Sequence, residues 1–364
     1  MSSLIEIDGS YGEGGGQTLR TALALSALTG KATSISNIRA GRKRPGLAPQ
    51  HLTGVLAAAR ISAADVQGAR IGSTEIVFIP RPGAPEERSF VFDVTEASQG
   101  GSAGSVTLVL QTILFPLAYS GRRVELKIKG GTHVAWSPPF DYFSDVVLPT
   151  LSRMGLDAGC SLDAWGFYPV GGGEVSVRIG GIRPAGGPTP HRSLGPLRLI
   201  ERGGVIQVSG RAVVSNLPRD IADRMARRAA DILGEKGIDA DIQALRVVGK
   251  SAGAGVFMTA RYAHALAGFS ALGKKGLPAE RVALDACREL FAFDKTGAAV
   301  DQHLADQLVL PLTLAAGRSE MSVESVTTHL LANAHVIRQF IPATIEIHGE
   351  EGKPGRIVVE GVGL

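Results

Sequence analysis

The chain has 364 residues, with 38 lysines and arginines against 34 aspartates and glutamates for a formal charge of +4, and is 44% hydrophobic and 5% aromatic. This excludes a disordered chain and leaves room for roughly two or three domains with a proper core. Cys160 and Cys287 are too few for a disulfide framework or a four-thiolate zinc site and fit a reducing compartment, while a pI near 9.1 permits a nucleic-acid or phosphate ligand without arguing for one.

The chain starts directly in Leu4-Ile5-Glu6-Ile7-Asp8, a short strand with no basic and apolar leader before it, so a cytosolic protein is expected. Spacing then predicts a helix over Gly15–Leu28, a strand over Ala32–Ile38 and a helix over Gln50–Ile61. Ile71–Ile79 and Ser89–Val94 read as paired strands, Ser102–Ser120 as a buried apolar helix, Arg123–Lys129 as an alternating strand and Asp141–Met154 as a helix. The most apolar run, Ser105 to Tyr119, carries Gln111 and Pro116 and falls short of the roughly 20 residues a bilayer needs, so no membrane partner is expected. Strands and helices alternating between glycine-rich returns predict an α/β fold of repeated units.

Arg183–Pro190 reads as a turn-rich linker, followed by a strand–strand–helix–strand–strand module holding Ile206–Val214, the helix Asp220–Lys236, Asp239–Val248 and Gly255–Ala260. Helices at Ala279–Phe293 and Gln302–Ala315, then strand, helix, strand and strand to Val362, resume the alternation found ahead of the linker. The expectation is a catalytic domain over 1–182 and 277–364, interrupted by a smaller inserted α/β domain over 183–276.

Five segments carry chemistry. The glycine-rich turn Asp8–Gln17 lies between strand and helix, where backbone amides approach an anion closely. It matches neither a Walker motif nor the dinucleotide fingerprint, since Gln17 takes the last glycine slot. Within it Glu13 is placed to hold a divalent cation, with Arg20 one turn into the helix. Arg39-Ala40-Gly41-Arg42-Lys43-Arg44 ends a strand, ahead of Gln50-His51 at a helix start; its guanidiniums can fork onto phosphate oxygens or form an ordinary solvated loop. Small residues Gly101–Ser105 open the apolar helix whose Gln111 needs partners for its amide. His303 shares a helix face with Asp306 and Gln307. His329 follows two threonines at a helix start, where the partial positive charge keeps imidazole neutral, with Asn333 at i+4 able to orient it.

Together Glu13-Gly14-Gly15-Gly16-Gln17-x-Leu19-Arg20, Ile38–Arg42 with Pro45-Gly46-Leu47 and Gln50-His51-Leu52, Gly101–Ser105, Gly166-Phe167-Tyr168-Pro169 with Gly171-Gly172-Gly173, Leu304–Leu308 and His329-Leu330-Leu331 resemble the RNA 3'-terminal phosphate cyclases from about residue 5 to 362. The resemblance implies repeated α/β units like the C-terminal domain of a bacterial initiation factor, with a smaller α/β insert. It implies an enzyme using ATP and a divalent metal ion, Mg or Mn, that converts an RNA 3'-phosphate into a 2',3'-cyclic phosphate through an adenylated histidine and an RNA-adenylate. His329 matches the family nucleophile, Gln111 and His303-Leu304-Ala305-Asp306-Gln307 the nucleotide contacts, and Glu13 the metal position. Arg20, Arg39, Arg42, Gln50 and His51 are assigned to phosphate or RNA 3'-end binding. The alternatives are a non-catalytic relative that assists ribosomal RNA processing or assembly and a sugar-phosphate enolpyruvyl transferase of related architecture. His335, six residues past His329, is a second candidate for the adenylated residue.

Overall fold

The structure, a computed structural model, describes residues 4–81, 87–96, 103–182 and 193–364. The expected linker Arg183–Pro190 and the pair Gly101-Ser102 lie outside the described residues.

One topology recurs. In the first unit β1 (Ile5–Asp8), α1 (Gln17–Thr29), β2 (Thr33–Ser36), α2 (Pro49–Ser62), β3 (Asp65–Gln67) and β4 (Ile76–Ile79) form a sheet of order β1-β2-β4-β3. β1 and β2 are parallel, and β4 runs antiparallel to both β2 and β3. The second unit repeats this with β5 (Ser89–Asp93), α3 (Val106–Tyr119), β6 (Val124–Gly130), a helical stretch made of α4 (Phe140–Tyr142), a π-helical turn (Phe143–Val147) and α5 (Leu148–Arg153), then β7 (Leu156–Ala164) and β8 (Gly173–Ile182), in order β5-β6-β8-β7. The third opens at β9 (Arg198–Leu199) and is interrupted there. Into the gap come β10 (Val205–Ser215), α6 (Arg219–Gly234), β11 (Ala240–Val247), β12 (Gly253–Tyr262), β13 (Leu266–Leu272) and α7 (Ala279–Thr296), whose own sheet has the order β11-β10-β12-β13. The unit resumes with α8 (Gln302–Leu314), β14 (Ala316–Val323), α9 (Thr328–Phe340), β15 (Thr344–His348) and β16 (Gly355–Val362), giving the order β9-β14-β16-β15.

Two expectations about the strands are corrected. Ile71–Ile79 and Ser89–Val94 are not partners: β4 pairs with β2 and β3, whereas β5 pairs in parallel with β6, Ser89 opposite Glu125. Both segments alternate in polarity, but the unit boundary falls between them, and alternation carries no information about partner choice. The module after Ile200 is strand–helix–strand–strand–strand, because the short strand before it, β9, pairs with β14 instead.

Helices gather in the interior and the sheets lie outside. α1 packs against α2, α3 and α9, and α8 packs against α9. α3 is buried along nearly its whole length, as its all-round apolar sequence requires. This brings the N-terminal ends of α1, α2 and α9 beside the glycine-rich turn. α7 packs against α6 and against β12 and β13. No helix of the described residues is long and apolar enough to cross a membrane.

Candidate active site

The glycine-rich turn is held rigid from below. Asp8 Oδ1 accepts the Ser10 N–H at 2.9 Å, its hydroxyl at 2.7 Å and the Asn37 amide at 3.0 Å, and these bonds hold the carboxyl below its ordinary range. Gly14 takes a left-handed φ of 56°, and its carbonyl accepts the Gly41 N–H at 3.3 Å. A Cβ on Gly41 would stand 2.3 Å from the Glu13 carbonyl, so only glycine lets the basic loop lie on the turn. The two segments, separate in sequence, form one surface.

Glu13 is the centre of that surface. Its Oε1 accepts from Arg42 Nη2 at 2.8 Å and lies 3.0 Å from His329 Nε2. His329 is the second residue of α9, whose N-cap Thr327 accepts the Leu330 N–H at 2.9 Å and donates its hydroxyl to Asp306. With Nε2–H donating to Glu13, the lone pair lies on Nδ1, which is buried without a partner. Burial pushes the imidazole pKa down; Glu13 opposes this, while Arg20, His303 and Arg42 add to it, so the ring is neutral near pH 7.

Beside this pair Arg20 and His51 converge over Gly16. A Cβ there would meet His51 Nε2 at 2.3 Å and Arg20 Nη1 at 2.9 Å. His51 is pushed down to about 3 by burial and then by the charges of Arg20, Arg39 and Arg42, so it is neutral. Burial lowers Arg20 to about 10, with Glu13 opposing, and the guanidinium stays charged. Arg20 Nε and His51 Nδ1 are buried without partners, and Arg20 Nη2 donates to Gln17 at 2.6 Å. Gln50 accepts the Ser105 N–H at 3.2 Å. Arg39 stands apart: its Nη1 donates to the carbonyls of Arg44 and Gly46, so it braces the basic loop from within.

Between Arg20 and Asn333 opens a cleft. Gln17, Arg20, Gln111, Asp306, Gln307 and Asn333 line it, with Leu114, Phe115, Phe143 and Leu310 as an apolar wall. Gln111 Nε2 donates to Gln307 Oε1 at 3.0 Å, leaving Gln111 Oε1 buried without a partner. Burial raises Asp306 to about 8, against the Thr327 hydrogen bond. His303 is exposed with its ring edge-on to Tyr142, whereas Leu304 and Ala305 are buried core residues.

Sequence reasoning missed how the cleft is held together. Asn333 does not orient His329. Its Oδ1 accepts from Gln17 at 2.9 Å and Thr21 at 2.6 Å, and its Nδ2 donates to the Asp306 carbonyl at 2.7 Å, tying α1, α8 and α9. Asp301 caps α8 and accepts the Tyr142 hydroxyl at 2.7 Å. The signal for the cap is present in the sequence, an aspartate just before a periodic helix; none exists for the partners of Asn333. His335 stacks flat on Tyr11, centroids 3.8 Å apart.

The family profile described as RNA 3'-terminal phosphate cyclase matches residues 11–347. The chain belongs to that family. A Methylococcus capsulatus protein named RNA 3'-terminal phosphate cyclase is 50% identical over 360 residues, 99% of this chain and 97% of its own. Relatives of the same name from Trichormus variabilis and Archaeoglobus fulgidus are 49% and 43% identical, covering 96% of this chain and 97% and 99% of theirs. The enolpyruvyl transferase NikO from Streptomyces tendae superposes with a TM-score of 0.37 at 11% identity, over 100% of this chain and 49% of that one, which is too slight a likeness to argue from. The cyclase family uses ATP; of the residues matched to its nucleotide contacts, Gln111, Asp306 and Gln307 line the cleft, while His303, Leu304 and Ala305 do not.

Proposed function

We propose that the chain cyclises RNA 3'-terminal phosphates at the expense of ATP, with His329 as the nucleophile. What supports this most is the setting of His329: a neutral imidazole at a helix N-terminus, facing Glu13 beside the cations Arg20 and Arg42, on a helix whose Asn333 lines a cleft holding the unpaired Gln111 Oε1. Release of Nε2 by Glu13 lets the ring proton move to Nδ1 and frees the Nε2 lone pair. That pair attacks the α-phosphorus of ATP as the bond to pyrophosphate breaks. An oxygen of the RNA 3'-phosphate then displaces the histidine, and the neighbouring 2'-hydroxyl attacks the activated 3'-phosphorus, expelling AMP and closing the cyclic phosphate. Arg20 and Arg42 neutralise charge on the phosphoryl oxygens, while Gln111, Gln307 and Asp306 offer the donors and acceptors a nucleotide needs.

The metal fits as a loosely caged ion. Among the described residues no three carboxylate, histidine or cysteine groups converge on a metal site, but Glu13 is one hard carboxylate facing the anion pocket of Arg20, Arg42 and His51. A magnesium-type ion takes one or two carboxylates and completes its shell with phosphate oxygens and water. Bound there, it would supply charge neutralisation at the phosphates.

The catalytic domain, on this reading, consists of initiation-factor-like repeats over 1–182 and 298–364, α7 going with the insert it packs on instead of with the expected 277–364 part, and the free thiols Cys160 and Cys287 suit a reducing cytosol. Incubation with α-labelled ATP and a divalent ion should yield an acid-labile protein adenylate, and added 3'-phosphorylated RNA should become phosphatase-resistant. Binding of RNA without either product would identify a non-catalytic relative.

A further inference from the structure

The three most exposed large apolar residues among those described, Trp136 (99%), Val248 (84%) and Tyr168 (75%), rise from loops that hold one another. The loop between β6 and α4 is closed by the Phe140 N–H on the Thr132 carbonyl at 2.9 Å and pinned to α3 by the Thr107 hydroxyl on the Pro138 carbonyl at 2.7 Å. At its tip Trp136 takes a left-handed φ of 66°. At its base His133 bridges Phe167, and Tyr168 is the next residue. From that second loop the Val170 N–H donates to Ser251 Oγ at 3.1 Å, and Gly172 lies against the stem of Lys250 so closely that a Cβ would stand 2.4 Å from it. Val248 and the exposed Lys250 belong to this third loop.

Single exposed apolar side chains are ordinary; three on mutually braced loops are a patch that does nothing for the core. A bulky residue held at positive φ on a pinned loop is a cost that the fold itself does not require. The second loop is braced, through packed backbone, on the segment that Gln50 holds. Gly171 packs on the backbone of Ala103 and Gly130, and two residues on from Ala103 the Ser105 N–H is held by Gln50, the neighbour of His51. Aromatic faces beside a flexible cation are the chemistry that stacks unpaired bases while tracking a phosphate backbone.

We infer that the loops bearing Trp136, Tyr168 and Val248 with Lys250 are a stacking platform for single-stranded RNA a few nucleotides before its 3'-phosphate. This rests on the cyclase reading and adds to it a site for the body of the substrate.

The test compares a 3'-phosphorylated dinucleotide, too short to leave the anion pocket, with a 3'-phosphorylated octanucleotide. Trp136→Ala and Tyr168→Ala should each lower the ratio of octanucleotide to dinucleotide affinity roughly 5- to 150-fold, the usual loss for one stacked base. The octanucleotide should quench the emission that Trp136→Phe removes, and ATP alone should not. A ratio unchanged in both variants overturns the platform. So does quenching by ATP alone, or loss of self-association in the variants with RNA affinity intact, which would make the patch a contact between copies. The cyclase reading is judged separately: if wild-type protein cyclises the dinucleotide, that reading stands whatever becomes of the platform, and it falls if neither RNA is cyclised.

Discussion

His329 and His335 lie on one helix, and their surroundings separate them. His335 is committed to a stack on Tyr11, while His329 faces Glu13 and the anion pocket. His329→Ala should therefore abolish labelling by α-labelled ATP, and His335→Ala should retain most of it. Because burial and nearby cations hold the His329 pKa below 6.5, the acid limb of self-adenylation should lie below pH 6.5. The Glu13 charge works against that lowering, so Glu13→Gln should move the limb to still lower pH, and Glu13→Ala should also raise the metal concentration needed. Asp306 supplies a stability counterpart. With a folded pKa of about 8 against an ordinary 3.8, the folded state holds the proton more tightly than the unfolded chain between those values. The wild type must then lose stability relative to Asp306→Asn as pH rises from about 4 to about 8, with no further divergence above; thermal unfolding across that range checks it. At this scale Glu13, Gln111 and His329 are legible because each is a chemical anomaly in its stretch: an acid among glycines, an amide in an apolar helix, a histidine after two threonines. The partners of Asn333 are not, since they come from a helix more than 300 residues away in sequence and from another beyond the strand β14.

The N-terminal end of α9 does two jobs with one hydroxyl. Thr327 caps the helix and anchors it to Asp306 on α8. Thr327→Ala should cost about 1 kcal/mol of stability, the usual value of such a cap, and should slow self-adenylation by more than that loss explains, because His329 sits two residues away. Thr327→Ser should restore both, as denaturant curves and single-turnover labelling would show. Sequence distance alone separates the basic loop from the nucleotide segments; the fold does not. Gly41 folds onto Gly14 and carries Arg42 to Glu13, the carboxylate that His329 also meets, while Arg39 turns inward to its own loop. The strand pair β7 and β8 shows the reverse case. β8 alternates buried and half-buried residues from Gly173 to Arg178 as its sequence alternates, a pattern that the adjoining run of glycines obscures.

The threefold repeat is far clearer in strand order than in sequence, because pairing order survives when side chains diverge. The interruption of the third unit is legible as a change of composition; its attachment is not. Arg211 on β10 binds Asp141 at the start of α4, and Asp141 Oδ2 lies 2.6 Å from Nε2 of the buried His133. Asp141 is nearly sealed, with a side chain 7% exposed, whereas that of Arg211 is 40% exposed. Arg211→Ala, which leaves that sealed carboxylate without its cation, should thus approach the roughly 3–5 kcal/mol expected when a buried ion pair loses one member, and Asp141→Ala should cost less because water reaches the half-exposed guanidinium it leaves behind; urea unfolding of the two variants gives the comparison. The packing of α7 on α6 and the inserted sheet has a practical corollary for anyone shortening the chain. An excision that stops at 276 would strand α7 with Val282, Ala286, Leu290 and Phe293 turned to water, all of them buried in the intact protein. Such a shortened protein should precipitate, while one cut instead after Gly297 should remain dispersed, since the helix leaves together with the surface it was made to cover.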